Sequence, residues 1–118
     1  MSYDRNNVFA RILRGELPAK KIYETEHSLV FDNIYPKAKL HLLLIPKGEY
    51  ASFTEFGARA TDAEKLDFLS ALSHTIADYG LAADGYRLVA NTGEAGGQSV
   101  PHFHLHLLGG EKLRNEGL

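Results

Sequence analysis

Pro101-His102-Phe103-His104-Leu105-His106-Leu107-Leu108 carries a histidine at every second position. The apolar residues between them repeat with the same period of two, which predicts a strand. Successive side chains on a strand point to opposite faces, so His102, His104 and His106 share one face. Phe103, Leu105 and Leu107 turn the other way, toward a core. Three of the chain's six histidines stand in this row. A line of imidazoles beside a buried apolar line is a poor device for stability, and it points to chemistry.

Two kinds of chemistry fit such a row. In a metal site, a strand rise of about 3.3 Å per residue puts the backbones of His102 and His106 roughly 13 Å apart. Zinc holds nitrogen ligands at about 2.0–2.1 Å, so only two neighbours could share an ion without sharp curvature. The segment also lacks the cysteine or carboxylate partners that usually complete such a site. Alternatively the histidines divide the work: one nucleophile, with its neighbours positioning it or binding an anion. His104, flanked on both sides, is then the natural nucleophile, and neutral imidazole is available near pH 7.

The residues upstream favour the second reading. Asn91-Thr92-Gly93-Glu94-Ala95-Gly96-Gly97-Gln98-Ser99 follows the strand-like run Tyr86–Ala90. Its glycines let backbone N–H groups approach an anion, and Asn91, Gln98 and Ser99 add neutral hydrogen-bonding groups. No Gly-Lys-Ser/Thr follows, so this is not a P-loop. Only Glu94 supplies a carboxylate, so no magnesium cage is expected, and no metal or cofactor is called for.

His102-Phe103-His104-Leu105-His106-Leu107-Leu108 resembles the His-φ-His-φ-His-φ-φ signature of the histidine-triad (HIT) proteins, where φ is apolar. Gly96-Gly97-Gln98-Ser99-Val100 before it and Leu108-Gly109-Gly110 after it look like the Hint branch of purine nucleoside phosphoramidases. The likeness runs from about Val8 to Gly110, with Pro101 where many Hint proteins carry an aromatic. It implies a homodimer whose sheets pair across a two-fold axis. It also implies attack by Nε2 of His104 on the α-phosphate of a purine nucleoside monophosphate conjugate. A nucleotidyl-histidine would form, and water would then release the monophosphate.

By the same resemblance His106 and the amides near Gly97 would stabilise phosphate charge. Ser99 and His102 would lie on the leaving-group side, and Asn91 would contact phosphate or ribose. His41 would be a fourth active-site histidine. Val8, Phe9, Ile12, Phe31 and Ile34 would form a slot for the base, although their pattern alone reads as core. Asn33 departs from the family, which often has an acid there to accept bonds from the ribose hydroxyls. The family also includes dinucleoside polyphosphate hydrolases and nucleotidyl transferases, against which the Gly-Gly-Gln-Ser-Val segment argues. A non-catalytic nucleotide- or zinc-binding protein is the remaining alternative.

Composition agrees with a small enzyme. The 118 residues suit one domain, with a core over about 8–110 and a tail over 111–118. A net charge of −2 without a Lys/Arg block argues against a nucleic-acid or anionic-membrane surface. There are no cysteines, and the opening residues lack the apolar core of a signal peptide, so a cytoplasmic location is expected.

The pattern along the chain predicts an α+β fold. Asn6 or Asn7 can cap a short helix carrying Val8, Phe9, Ile12 and Leu13, ended by Gly15 and Pro18. Ile22–Glu24 and Leu29–Asp32 read as strands around a turn containing His27. His41–Pro46, after the loop Asn33–Lys37, is apolar enough for a central strand covered on both faces. Thr61-Asp62-Ala63-Glu64 has capping-box spacing and opens a long helix with Leu66, Leu69, Leu72 and Ile76 inward. Asp67, Ser70, His74 and Asp78 fall on its polar side, so His74, like His27, is expected to be exposed. Two more strands, around Arg87–Ala90 and Phe103–Leu108, complete a five-stranded antiparallel sheet with one long and one short helix.

Overall fold

The computed structural model describes residues 3–114. The elements run α1 (Val8–Leu13), β1 (Lys21–Glu24), β2 (Ser28–Asp32), β3 (Leu40–Pro46), α2 (Phe53–Arg59), α3 (Asp62–Asp78), α4 (Leu81–Asp84), β4 (Arg87–Val89) and β5 (Leu105–Gly109). The strands form one sheet in the order β1-β2-β3-β5-β4, with every neighbouring pair antiparallel.

The unbroken apolar run of β3 is explained by its place in the middle. Leu42 and Leu44 join Val30, Phe103 and Leu107 in the cluster under α3. Leu43 and Ile45, from the other face, join Phe9, Ile12, Leu29 and Phe31 under α1. Each buried aliphatic side chain contributes about 1.5–3 kcal/mol relative to exposure, so this double-faced strand organises the molecule.

Local signals set the helix starts. Asn7, not Asn6, caps α1, its side chain accepting the Ala10 N–H at 2.9 Å. A helix of six residues is unstable alone, so burial of Phe9 and Ile12 holds it against the sheet. The box at Thr61 forms in full. Its hydroxyl accepts the Glu64 N–H at 3.1 Å, and the Glu64 carboxylate accepts the Thr61 N–H at 3.0 Å.

Three expectations are corrected. Among the described residues there are four helices rather than two: α2 and the single-turn α4 are additional to those the sequence predicts. β5 begins at Leu105, so His102 and His104 precede the ladder while keeping their alternation. The long helix is also turned about its axis. Phe68, Ala71, Leu72 and Thr75 are buried, while Leu66 and Leu69 are 65% and 61% exposed. The larger Phe68 ring takes the inward place, packing 5.3 Å from Phe56 and 5.2 Å from Phe103 between ring centroids. That rotation half-buries Asp67, which accepts the Thr25 and Ser28 hydroxyls at 2.6 and 2.7 Å and ties α3 to the β1–β2 turn.

His74 is exposed, with its ring stacked 4.1 Å from Tyr23, whereas His27 is half-buried. In the tail, the Glu111 carboxylate accepts the Lys39 N–H at 2.6 Å, and residues 115–118 lie outside the described part. No helix among the described residues is long and apolar enough to cross a membrane.

Candidate active site

Strand register assembles the histidines. On β3, His41 lies opposite Leu108 of β5, and Leu43 lies opposite His106. His41 and His106 are therefore diagonal neighbours on one face, with ring centroids 5.1 Å apart. His104, two residues before His106, points the same way, again with 5.1 Å between centroids. Phe9 from α1 sets its ring edge-on against His104 at 5.0 Å.

A cleft of about 610 Å³ opens over this face. His41, His104, His106, Ser99, Asn33 and Lys37 line its polar side. Val8, Phe9, Ile12, Phe31 and Ile34 line it as well, together with Leu17, Pro18 and Ala19. Phe9, Ile12 and Phe31 are also core, whereas Val8 and Ile34 are 41% and 78% exposed. The core reading therefore fits Phe9, Ile12 and Phe31, and all five residues face the cleft.

Hydrogen bonding fixes where the protons sit. A backbone carbonyl only accepts, so the 2.7 Å contact from His104 Nδ1 to the His102 oxygen puts the proton on Nδ1. Nε2 of His104 is left with its lone pair. His41 Nδ1 accepts the Lys37 backbone N–H at 2.9 Å, which places the His41 proton on Nε2. That proton is donated to His106 Nδ1 at 2.9 Å, so neutral His106 carries its own proton on Nε2. One backbone amide thereby sets two tautomers in series.

Burial keeps these rings neutral. It lowers the pKa of His104 against the opposing bond to the His102 carbonyl. His106 is pushed down to about 4 by burial and then by the nearby His104 and His41. His41 is lowered by burial and secondarily by the Lys37 charge. Burial thus favours the neutral form of all three rings, with His104 and His106 side by side.

The other predicted residues divide. Ser99 lines the cleft, and among the described residues neither its hydroxyl nor its N–H has a protein partner. Asn91, Gly97 and Gln98 do not line the cleft, which corrects their assignment as direct contacts. The Gly97 and Gln98 amides close turns within the loop, each at 3.0 Å, onto Glu94 and Gly93. The Gln98 carboxamide accepts the Gly93 N–H and donates to Ala51 and Val100 oxygens at 2.6 and 2.9 Å. Asn91 donates to the Gly96 oxygen at 2.9 Å. These side chains brace the loop and leave its last residues, Ser99 and Val100, facing the cleft. Gly96 is required for closeness, since a Cβ there would lie 2.3 Å from the Thr92 oxygen. Gly97 is required for its φ of +76°.

His102 also departs from expectation. Its ring is fully buried, does not line the cleft, and has both nitrogens occupied. Nε2–H donates to the Pro46 oxygen at 2.8 Å, and Nδ1 is met by the Tyr3 hydroxyl. Burial pushes its pKa to about 4. Its one ring proton is engaged by the Pro46 carbonyl, and the ring has no opening onto the cleft. Several cleft residues, Tyr35 and Leu17 among them, are not in the set that the sequence assigns to the site. Tyr35 follows Ile34 in the same loop, so its adjacency was an available signal. Among the described residues, no group of three or more His, Cys, Asp or Glu side chains is arranged to hold a metal ion.

Comparison with known proteins agrees with this arrangement. The HIT domain matches residues 14–113. An uncharacterized 13.2 kDa HIT-like protein of Azospirillum brasilense is 50% identical over 112 residues, covering 95% of this chain and 92% of that protein. A solved HIT family hydrolase from Clostridium thermocellum superposes with a TM-score of 0.85 at 38% identity, covering 98% of this chain and 99% of the other. A histidine triad nucleotide-binding protein from Candida albicans gives 0.78 at 30% identity, covering 86% and 73%. A matched domain that takes in all three alternating histidines, on the same five-stranded frame, means that this chain belongs to the HIT domain family.

Proposed function

We propose that the protein is a hydrolase of purine nucleoside 5′-phosphoramidates or related nucleoside monophosphate conjugates. The observation that carries this reading is the pair of tautomers. The His104 ring, with its lone pair on Nε2, lies 5.1 Å between centroids from the His106 ring, whose proton is on Nε2, in an apolar cleft of nucleotide size. The names of the solved relatives, a hydrolase and a nucleotide-binding protein, support it.

The steps follow from those groups. Nε2 of His104 attacks the α-phosphorus as the bond to the leaving amine breaks. The Nδ1–H bond to the His102 carbonyl stabilises the positive charge the ring acquires. His106 Nε2–H and the free Ser99 amide face charge on the phosphoryl oxygens. The departing amine takes a proton through the Ser99 hydroxyl from solvent. Water then attacks phosphorus from the vacated side, releasing a proton to solvent through the same Ser99 hydroxyl, and the His104 nitrogen leaves with its lone pair restored. Splitting one displacement into two lowers each barrier.

Incubation with adenosine 5′-phosphoramidate in excess EDTA tests this. Turnover persisting in chelator, with a nucleotide adduct on the intact chain after a rapid non-acidic quench, is the expected result. Loss of turnover in EDTA favours a metal-dependent reading, and nucleotide binding without turnover favours a binding protein.

Asn33 supplies a second test. Its Oδ1 already accepts the Tyr35 N–H at 2.9 Å, and its amide nitrogen lies 3.2 Å from His41 Nε2. A ribose hydroxyl would therefore meet little acceptor capacity there. Charge-assisted bonds are about twice as strong as neutral ones, so Asn33→Asp tightens nucleotide affinity by roughly threefold to tenfold. Titration calorimetry with the nucleoside monophosphate decides it, and unchanged affinity removes Asn33 from the ribose site.

We also infer a homodimer formed through the opposite face. Strand β4 is a sheet edge, and beside it Phe53, Leu69 and Leu88 stay exposed around an apolar cleft of about 560 Å³. Covering apolar surface of this kind is a common reason for pairing. Sedimentation should give twice the chain mass of 13.1 kDa, and Leu69→Glu should return it to that value. A wild-type monomer refutes the pairing.

A further inference from the structure

The Tyr3 hydroxyl reaches across the sheet end to His102 Nδ1, a contact spanning 99 positions in sequence. The direction of this bond is fixed. His102 Nε2 faces the Pro46 carbonyl, which only accepts, so the ring proton is on Nε2 and Nδ1 must be the acceptor. The phenol is therefore the donor. The two rings also pack edge to face, 5.5 Å between centroids, and Phe9 closes the third side of the His102 ring at 6.4 Å.

His102 holds the nucleophile through its backbone, because its carbonyl receives the His104 Nδ1–H. We infer that Tyr3 is a positioning residue of the active site, anchoring the buried His102 ring and with it the carbonyl that sets the tautomer and direction of His104. The segment before α1 is thus part of the catalytic apparatus without reaching the cleft. Tyr3 does not line the cleft, and its hydroxyl meets His102, whose carbonyl in turn holds the His104 ring.

The expected size of the effect follows from the other anchors. The peptide carrying that carbonyl is held by the Phe103 N–H to the Tyr50 oxygen at 2.7 Å, and the preceding one by the His102 N–H to the Val100 oxygen at 2.9 Å. With those in place, loss of the phenol loosens the carbonyl without releasing it. The consequence should be smaller than the roughly hundredfold that an ångström of misplacement can cost. It should exceed the effect of an ordinary surface change, since Tyr3→Phe leaves a buried nitrogen without a donor.

The kinetic part rests on the proposed role of His104, and the spectroscopic part does not. In Tyr3→Phe, kcat for the phosphoramidate should fall by about tenfold with KM within about twofold, a split that general destabilisation does not produce. In parallel, nitrogen NMR of histidine-labelled protein should show His102 Nδ1 moving toward the shift of an unbonded acceptor, with His104 Nδ1 shifted in the same spectrum. Unchanged kcat, or unchanged nitrogen shifts at His102 and His104, overturns the inference. If even the wild-type protein turns nothing over, the functional reading fails separately, and the His104 Nδ1 shift alone then decides whether Tyr3 positions that ring.

Discussion

Alanine in place of His104 lowers phosphoramidate turnover by on the order of 10⁴-fold or more while nucleotide affinity stays within a few-fold, because the ring is needed in the transition state rather than for ground-state binding. Several neighbours would still hold the substrate. The apolar wall from Phe9 to Phe31, the Ser99 amide and His106 all remain. What disappears is a cleft-lining ring whose Nε2 is left unprotonated because its Nδ1–H is tied to a carbonyl. His106→Ala should cost less, about 10²–10³-fold, as expected for one donor to a developing oxyanion. His106 Nδ1 accepts from His41, so this substitution also leaves the His41 Nε2–H unpaired. Steady-state rates paired with nucleotide binding decide the matter. A His104→Ala protein that keeps a tenth of its activity would remove the covalent step from the account.

That row was the most legible part of the chain, because period-two alternation survives the fact that His102 and His104 stand outside the hydrogen-bonded ladder. The buried run of β3 and the box at Thr61 were also readable, each being a local rule with a local cause. The helix α2 was missed although Ser52 and Glu55 have capping spacing, since Gly57 and scattered apolar residues obscure its period. The buried face of α3 could not be read from leucines alone. Two apolar stripes compete on that helix, and only the position of Phe103 on the sheet selects the one containing Phe68.

Site roles divide along the same line. That Asn91 and Gln98 brace the loop rather than enter the cleft depends on which carbonyls lie within reach, which is a tertiary fact. The burial of His102 under Tyr3 is another. Residue type announced the chemistry, and long-range packing decided which atoms are free to perform it.

The same burial makes the fold sensitive to acid. His102 and His106 have folded pKa values of about 4, and His104 and His41 are lowered in the same direction. In the unfolded chain these rings titrate near 6.5. Between about pH 6.5 and 4 the unfolded state therefore binds more protons than the native state. Stability is fully present above the unfolded value and is lost as pH falls through that window. For the completely buried His102 a displacement of this size corresponds to about 3 kcal/mol. Partly exposed His106 adds less, because solvent screens it. Against a total of about 5–15 kcal/mol, that is a large share.

The carboxylates do not mimic this. Glu24, Glu55, Glu64 and Asp67 are lowered by their hydrogen-bond and charge partners, and their contributions are lost as pH falls from the ordinary carboxylate range toward their depressed folded values, mostly below the histidine window. Urea unfolding at pH 7.5, 6 and 4.5 should show most of the decline above pH 4.5, with the slope on denaturant unchanged. Tyr3→Phe should be less stable than wild type at pH 7.5 and should narrow the gap toward pH 4.5, since it removes the partner that favours neutral His102. A native state equally stable at pH 7.5 and 4.5 would mean that these imidazoles are not held neutral. The row that makes a nucleophile available near neutrality would then have lost its physical basis.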